Sequence, residues 1–303
     1  MIEQVQIVEV GPRDGLQNES AMLSTDQKVD MITRLADTGL NRIETVSFAH
    51  PDKVPQMADA EAVMANLPRR DDVSYIGLIL NWRGWRRAAD TPVNEINMNV
   101  SASNTFNQKN QGSDTEDTIN VLGQVVRDAS VAGLPVTATI ATSWGCPFEG
   151  EVPLDRLTFV ASAIAETGVS EIALADTIGV ADPWNVTERI NAVRQAVGGI
   201  PLRVHFHNTR NTGIANAYAA IQAGVATVDA SVGGLGGCPF APAATGNIPT
   251  DDLLFMLERA GISTGVSLKD IIAVSVYIES LVGKPLEAML PKAGLFPHSS
   301  GTS

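Results

Sequence analysis

Eight short apolar runs, each followed by a helical pattern, constrain this chain more than any other feature. They are Val5–Val10, Arg42–Val46, Val73–Ile79, Glu95–Val100, Val136–Ile140, Glu171–Ala175, Leu202–His207 and Thr227–Ser231. Each is rich in Val, Ile or Leu, as in strands buried on both faces of a parallel sheet. The helices between them have readable ends. Ser24-Thr-Asp-Gln27 forms a capping box ahead of Val29, Ile32 and Leu35, and Gly39 closes that helix. Ser113-Asp-Thr-Glu116 reads as a second box, and Asp182-Pro183 as an N-cap followed by proline at the first helical position. Other helices fit Gln56–Ala65, Asn81–Ala89, Leu154–Thr167, Thr212–Ala223 and Thr250–Ala260, and a last one, Lys269–Val282, falls outside the alternation. Strict order over eight units predicts an α/β fold, a (β/α)8 TIM barrel with an additional C-terminal helix. A doubly wound open sheet is the competitor, because alternation alone does not prove closure.

The length of 303 residues suits one such barrel of about 250 residues plus additions. No linker divides the chain. One domain is expected over 1–303, with the barrel at 5–262, a helical extension at 263–295 and a frayed tail at 296–303. Apolar residues at 44% and charged ones at 18% exclude a disordered chain. The net charge of −13 argues against nucleic acid or an anionic membrane surface as a partner. It does not forbid a small anionic substrate received by a local cationic pocket. No apolar run approaches the roughly 18 residues of a membrane span. The start, MIEQVQIVEV, reads as neither a signal nor a transit segment, and Cys146 and Cys238 are too few for a disulfide framework. A cytoplasmic enzyme is the expectation.

In such a barrel the chemistry sits at the carboxyl ends of the strands. After the first comes Gly11-Pro-Arg-Asp-Gly15, where Arg13 supplies a fork of donors and Asp14 a carboxylate. Glu44 lies inside an apolar strand and needs a partner, either as a plain internal salt bridge or as a group that orients Arg13 or moves a proton. Asp176 ends the sixth strand, as a turn former or a site carboxylate. In the seventh, period 2 puts His205 and His207 on one face and Phe206 on the other. Two imidazoles there form half of a divalent-metal site, and Asp14 adds a carboxylate. Zn²⁺, Mn²⁺, Fe²⁺, Co²⁺ or Mg²⁺ would suit that set. His50 and His298 have no such context. The Gly-rich segment Gly233–Asn247 holds Cys238 at a loop tip suited to a mobile lid, and Asn247 offers a carbonyl oxygen to a metal.

Together the motifs resemble the 3-hydroxy-3-methylglutaryl-CoA lyase family over nearly the full length. The resemblance rests on Val10-Gly-Pro-Arg-Asp-Gly-Leu-Gln-Asn-Glu19, Ile43-Glu-Thr45, Val54-Pro-Gln-Met57, Ser101-Ala-Ser103, Lys109-Asn110, Gly145-Cys-Pro-Phe-Glu-Gly150, Ala175-Asp-Thr-Ile-Gly179, His205-Phe-His207, Gly236-Gly-Cys-Pro-Phe-Ala-Pro242 and Thr245-Gly-Asn247. It implies retro-Claisen cleavage of an acyl-CoA into acetyl-CoA and a 3-oxo acid, acetoacetate in the parent case. It also implies Asp14, His205, His207 and Asn247 as ligands of Mg²⁺ or Mn²⁺. Arg13 would stabilise the enolate oxygen, Cys238 would be the catalytic loop cysteine, and Glu44, Asp176 and His205 would complete the catalytic set. Gln17 and Asn110 join Arg13 as implied substrate contacts, and a homodimer is implied. The chain departs from the family pattern at Asn104 for a glutamate, at Asn208 and Asn211 for an aspartate and a glycine, and at Trp144 for a smaller residue. Asn208 removes a charge near the histidines, where such groups tune metal affinity, and Trp144 raises the expectation of a pocket reshaped for a different C3 substituent. The competing readings are a metal-dependent aldolase or condensing enzyme for oxo acids, which needs no Cys238 loop, and a non-catalytic barrel.

Overall fold

The structure, a computed structural model, describes residues 2–238 and 241–297, and the side chains of 238–245 stand outside that description. The strands in chain order are β1 Gln6–Glu9, β2 Arg42–Ser47, β3 Ser74–Ile79, β4 Glu95–Ser101, β5 Val136–Ala141, β6 Gly145–Cys146, β7 Gly150–Glu151, β8 Glu171–Asp176, β9 Leu202–Phe206, β10 Thr227–Ala230, β11 Gly237–Cys238 and β12 Ala241–Thr245. The helices are α1 Thr25–Asp37, α2 Ala60–Asn66, α3 Trp82–Ala89, α4 Asn104–Gln111, α5 Thr115–Val131, α6 Leu154–Ala165, α7 Pro183–Val197, α8 Gly213–Gln222, α9 Thr250–Arg259, α10 Leu268–Val282 and α11 Leu290–Ala293. Eight strands close in the order β1-β2-β3-β4-β5-β8-β9-β10. The closing pair, β10 with β1, is parallel and sets Gln6 opposite Thr227 and Glu9 opposite Ala230. That pairing excludes the open sheet. The pairs β6–β7 and β11–β12 are small antiparallel hairpins above the barrel.

Alternation along each strand sends one set of side chains outward. Ile96, Met98 and Val100 of β4, Ile172 and Leu174 of β8 and Val204 of β9 join the apolar layer between barrel and helices. The inward set is different. Val8, Val10 and Ile76 form a separate apolar plug there. Around it stand Arg42, Glu44, Glu95, Asn97, Glu171, Arg203 and Asp229, with Arg42 partly exposed and the others buried.

Most helix ends follow the sequence. Ser24 and Gln27 close both halves of the first capping box, and Asp182 accepts from the backbone N–H groups of Trp184 and Asn185. The second box is not formed. Asp114 occupies the N-cap of α5 without a side-chain capping bond, and Asn104 Oδ1 accepts from Thr115 N at 3.0 Å instead. Ser113 is held in the preceding turn, where Asn107 Nδ2 donates to its carbonyl at 2.8 Å. The expected helix Gln56–Ala65 is also divided, into a short 3₁₀ turn Pro55–Met57 and α2. Lys28 Nζ fixes that break by donating to Gln56 O at 2.6 Å and Asp59 Oδ1 at 2.5 Å.

Helix α10 packs on α1 and α9. Its Ser275 hydroxyl donates to Asp251 Oδ1 at 2.6 Å, and Asp251 Oδ2 accepts from Gly233 N at 2.6 Å, so the extension braces the loop after β10. Of the tail expected to fray, Phe296 lies under the Arg259 guanidinium at 5.3 Å, and 298–303, including His298, lie outside the described residues. Among the described residues no helix is long and apolar enough to cross a membrane.

Candidate active site at the barrel mouth

The chain leaves β1 through a single π-helical turn, Gly11–Gly15. Val10 O accepts from Arg13 N, Asp14 N and Gly15 N, at 3.2, 2.7 and 3.3 Å. This tight turn aims Arg13 and Asp14 over the barrel axis. Gly11 is required by close approach, since a Cβ there would stand 2.7 Å from Glu9 Oε1. Glu9 braces the turn from outside the barrel. Its Oε1 accepts from Gly11 N and Val232 N, and its Oε2 from the Thr250 hydroxyl. Burial outweighs these three bonds and pushes the Glu9 carboxyl up to about 8.

Arg13 is the pivot. It donates to Glu44 Oε1 and, at 2.5 Å, to Asp14 Oδ1. Glu44 is fixed in turn, because Asn97 Nδ2 donates to its other oxygen at 2.6 Å, and Thr139 donates to Asn97 at 2.8 Å. The salt-bridge and Arg-orienting readings of Glu44 are thus one arrangement. Asp14 Oδ2 lies 3.9 Å from His205 Nε2 and 4.0 Å from His207 Nε2, and the imidazole centroids are 5.1 Å apart. The three residues bring ligand atoms within 4.8 Å of one another, a possible metal site. Burial works to raise the Asp14 carboxyl, but Arg13 and the two imidazoles outweigh it and hold it well below the usual carboxylate range. Burial and then the neighbouring His205 push His207 down to about 4, which favours a neutral, ligating imidazole.

Asn247 reaches the same place. It bridges His207 through the backbone and donates from Nδ2 to Leu235 O at 3.3 Å. Gly246 before it has no room for a side chain, since a Cβ would meet Gly237 O at 2.8 Å. The Asn247 Oδ1 atom is buried with no hydrogen-bond partner. A buried acceptor without a donor costs free energy, and a cation among Asp14, His205 and His207 would satisfy it. Two imidazole nitrogens, a carboxylate and an amide oxygen therefore fit a divalent ion.

Other expected residues are placed differently. Both Asp176 oxygens accept loop N–H groups, from Val180 at 2.9 Å and Ala181 at 3.0 Å, so this carboxylate acts as the turn former. Gln17 is half-buried just beyond the π turn, and Asn110 is exposed on α4, away from the cluster. The backbone of Cys238 belongs to β11, but its side chain lies outside the described residues. Asn208 Oδ1 accepts from Gly213 N at 3.1 Å, a bond that helps build the turn into α8. Asn211 has φ 59°, a conformation that Asn tolerates in place of glycine. Trp144 packs against Phe206, with ring centroids 5.3 Å apart and tilted by 52°, on the strand face opposite the histidines. The sequence reading missed Asn97, Arg203 and Asp229; Arg203 sits two residues before His205 on the same strand face, while Asn97 and Asp229 lie on other strands and signalled only as polar residues in apolar runs.

A closed parallel barrel with a carboxylate, two imidazoles and an anchored arginine at its mouth is a frame for metal-assisted chemistry on an anionic substrate. The HMGL-like family matches residues 4–278. A hydroxymethylglutaryl-CoA lyase of Bacillus subtilis is 41% identical over 94% of this chain and 95% of its own. An (R)-citramalyl-CoA lyase of Chloroflexus aurantiacus is 37% identical over 97% of this chain and 96% of its own. The solved structure of an HMG-CoA lyase from Acinetobacter baumannii in complex with coenzyme A and 3-methylmalate superposes with a TM-score of 0.93, at 38% identity, covering 98% of this chain and 97% of that one. The chain belongs to the HMGL-like family and is a carbon–carbon lyase.

Proposed function

We propose that this lyase cleaves a 3-hydroxy-3-methylglutaryl-CoA-type thioester into acetyl-CoA and a 3-oxo acid, acetoacetate for the methyl compound. The observation that carries the reading is Arg13, pinned between Glu44 and Asp14 beside two neighbouring imidazoles. In the reaction the C3 hydroxyl loses its proton, the C2–C3 bond breaks, and its electron pair passes into the thioester as an enolate. That enolate then takes a proton at C2. Asp14, His205, His207 and Asn247 would hold Mg²⁺ or Mn²⁺, which when bound acidifies the hydroxyl and chelates the substrate carboxylate. Arg13 meets the charge growing on the thioester oxygen, and Glu44 keeps its fork aimed there. A carboxylate at the mouth receives the hydroxyl proton while His205 serves as a ligand, and Cys238 returns one to carbon. Asp176 shapes the loop after β8, and Gln17 and Asn110 are substrate contacts on the rim.

The similarity to an (R)-citramalyl-CoA lyase supports a second reading, in which the carbinol carbon carries a carboxylate directly and the co-product is a 2-oxo acid. The deciding experiment supplies Mg²⁺- or Mn²⁺-reconstituted protein with both thioesters and measures acetyl-CoA. The first reading expects faster release from the glutaryl compound. Release from neither would overturn both. We also propose that the chain acts as one domain, as a homodimer, in a reducing compartment such as the cytoplasm. Support for the last is the buried thiol of Cys146, which is not in a disulfide.

A further inference from the structure

The two histidines of the cluster are supported unequally. His205 faces Asp14 through Nε2, and its other nitrogen, Nδ1, lies 3.2 Å from Asp229 Oδ2. The Nδ1 of His207 is buried and has no hydrogen-bond partner. Asp229 is opposite His205 in the β9–β10 register and is 4% exposed. Its second oxygen stands 3.2 Å from Arg203 Nε. Arg203 is completely buried, and its NH1 lies 3.6 Å from Glu171 Oε2. Glu171 and Glu95 are clamped by Arg42 at 2.8 and 2.6 Å. An alternating column of charge thus runs up the barrel axis and ends on one nitrogen of one imidazole.

A neutral imidazole carries its proton on one nitrogen or the other. A carboxylate at Nδ1 accepts the hydrogen bond of an Nδ1 proton and so leaves the Nε2 lone pair pointing into the cluster. That carboxylate needs a counter-charge, because an unpaired one would be costly at this depth. Arg203 is placed for that purpose. None of its nitrogens makes a hydrogen bond, so it contributes charge more than connectivity. We propose that Asp229, anchored by Arg203, is a positioning residue that fixes His205 as an Nε2 ligand for a divalent cation. The inference rests on the metal-holding reading of the mouth and adds a role for the polar barrel interior.

The test has two readouts independent of turnover. Nitrogen NMR of the histidines in the wild-type protein at alkaline pH, where the imidazole is neutral, reports the His205 tautomer, expected with its proton on Nδ1. A proton on Nε2 would overturn the proposal without any variant. Mn²⁺ titration calorimetry then compares wild type with Asp229→Asn and with the charge-balanced Asp229→Asn/Arg203→Met pair. Both variants are expected to bind Mn²⁺ about 10–100-fold more weakly. If the single variant does not fold, the double variant decides. Binding within about twofold of wild type sinks the positioning role while leaving the metal centre standing. A wild type that takes up no Mn²⁺ rejects the metal reading itself, and this inference with it.

Discussion

The barrel interior has two polar halves that treat their charges in opposite ways. In the lower half, Arg42 lies between Glu95 and Glu171, and Gln6 and Thr137 take up remaining positions. In the upper half, Asn247 Oδ1 and His207 Nδ1 have no partner, and Asp14 lies 3.9–4.0 Å from the imidazoles, beyond hydrogen-bond range. Arg42, Glu95 and Glu171 satisfy one another and read as structure, while Arg203 above them makes ion pairs without hydrogen bonds. The upper ones are left unsatisfied and read as a site for something not made of protein. A buried charge alone therefore carries no functional signal here; several incompletely paired groups gathered around one point do.

The largest expected effect breaks the lower half. Arg42→Met leaves Glu95 and Glu171 facing each other below the plug. It should cost about 3–5 kcal/mol, the usual penalty for orphaning buried charge. Urea unfolding would register this, while kcat of the folded protein stays nearly unchanged. Replacing Glu95 and Glu171 by leucine in the same background should recover much of the loss. If Arg42→Met instead removes activity at unchanged stability, the division between the halves is wrong.

The same kind of change in the upper half should do the reverse. Arg13→Met removes the group aimed at the growing enolate charge, and kcat for acetyl-CoA release should fall about 10²–10³-fold. Glu44 would lose its cation but keep Asn97, so the melting temperature should fall less than in Arg42→Met. A variant that unfolds with kcat intact would place Arg13 with the structural charges.

Much of the upper half was legible and little of the lower. Arg13, Asp14, His205 and His207 could be found because a strand end and a two-residue period fix where side chains point. Glu44 was legible as a charge requiring a partner. The lower column was not, since Arg42 and Glu171 are 129 residues apart and nothing in local spacing pairs them. Closure of the barrel alone brings them together. The Ser113 box failed because a tertiary contact, Asn104 to Thr115, took over the cap.

A third test concerns Glu9, a carboxyl outside the barrel wall that joins β1 to the loop after β10. Its folded pKa is raised from 4.5 to about 8, chiefly by burial. A raised value means the folded state holds the proton longer than the unfolded chain. The stability from this group is complete below 4.5 and is lost as pH rises through about 8. Across that window stability should decline by about 1.4 kcal/mol per pH unit from this group alone. In Glu9→Gln the amide nitrogen can donate to Thr250 while the oxygen accepts from Gly11 and Val232. The decline should therefore flatten in urea midpoints measured between pH 5 and 7. An equal slope in both proteins would mean that Glu9 is ionised when folded, and would move it from the neutral to the charged side of the comparison.

The smallest effect lies outside both halves, at the α4–α5 junction. Asn104 stands in the strand 4 loop where the resemblance implies a glutamate. It accepts from Thr115 N and is exposed, so its work is to close one helix end. Asn104→Ala should cost about 1 kcal/mol, as for loss of an N-cap acceptor, and lower the melting temperature by about 2 °C. Asn104→Glu restores the family's charge but its longer side chain does not place an acceptor at the same distance, so it should not recover the cap. If it instead raised kcat, the loop after β4 would belong to the upper half, and the boundary between satisfied and unsatisfied charge would lie further from the barrel axis than the Asp14 cluster suggests.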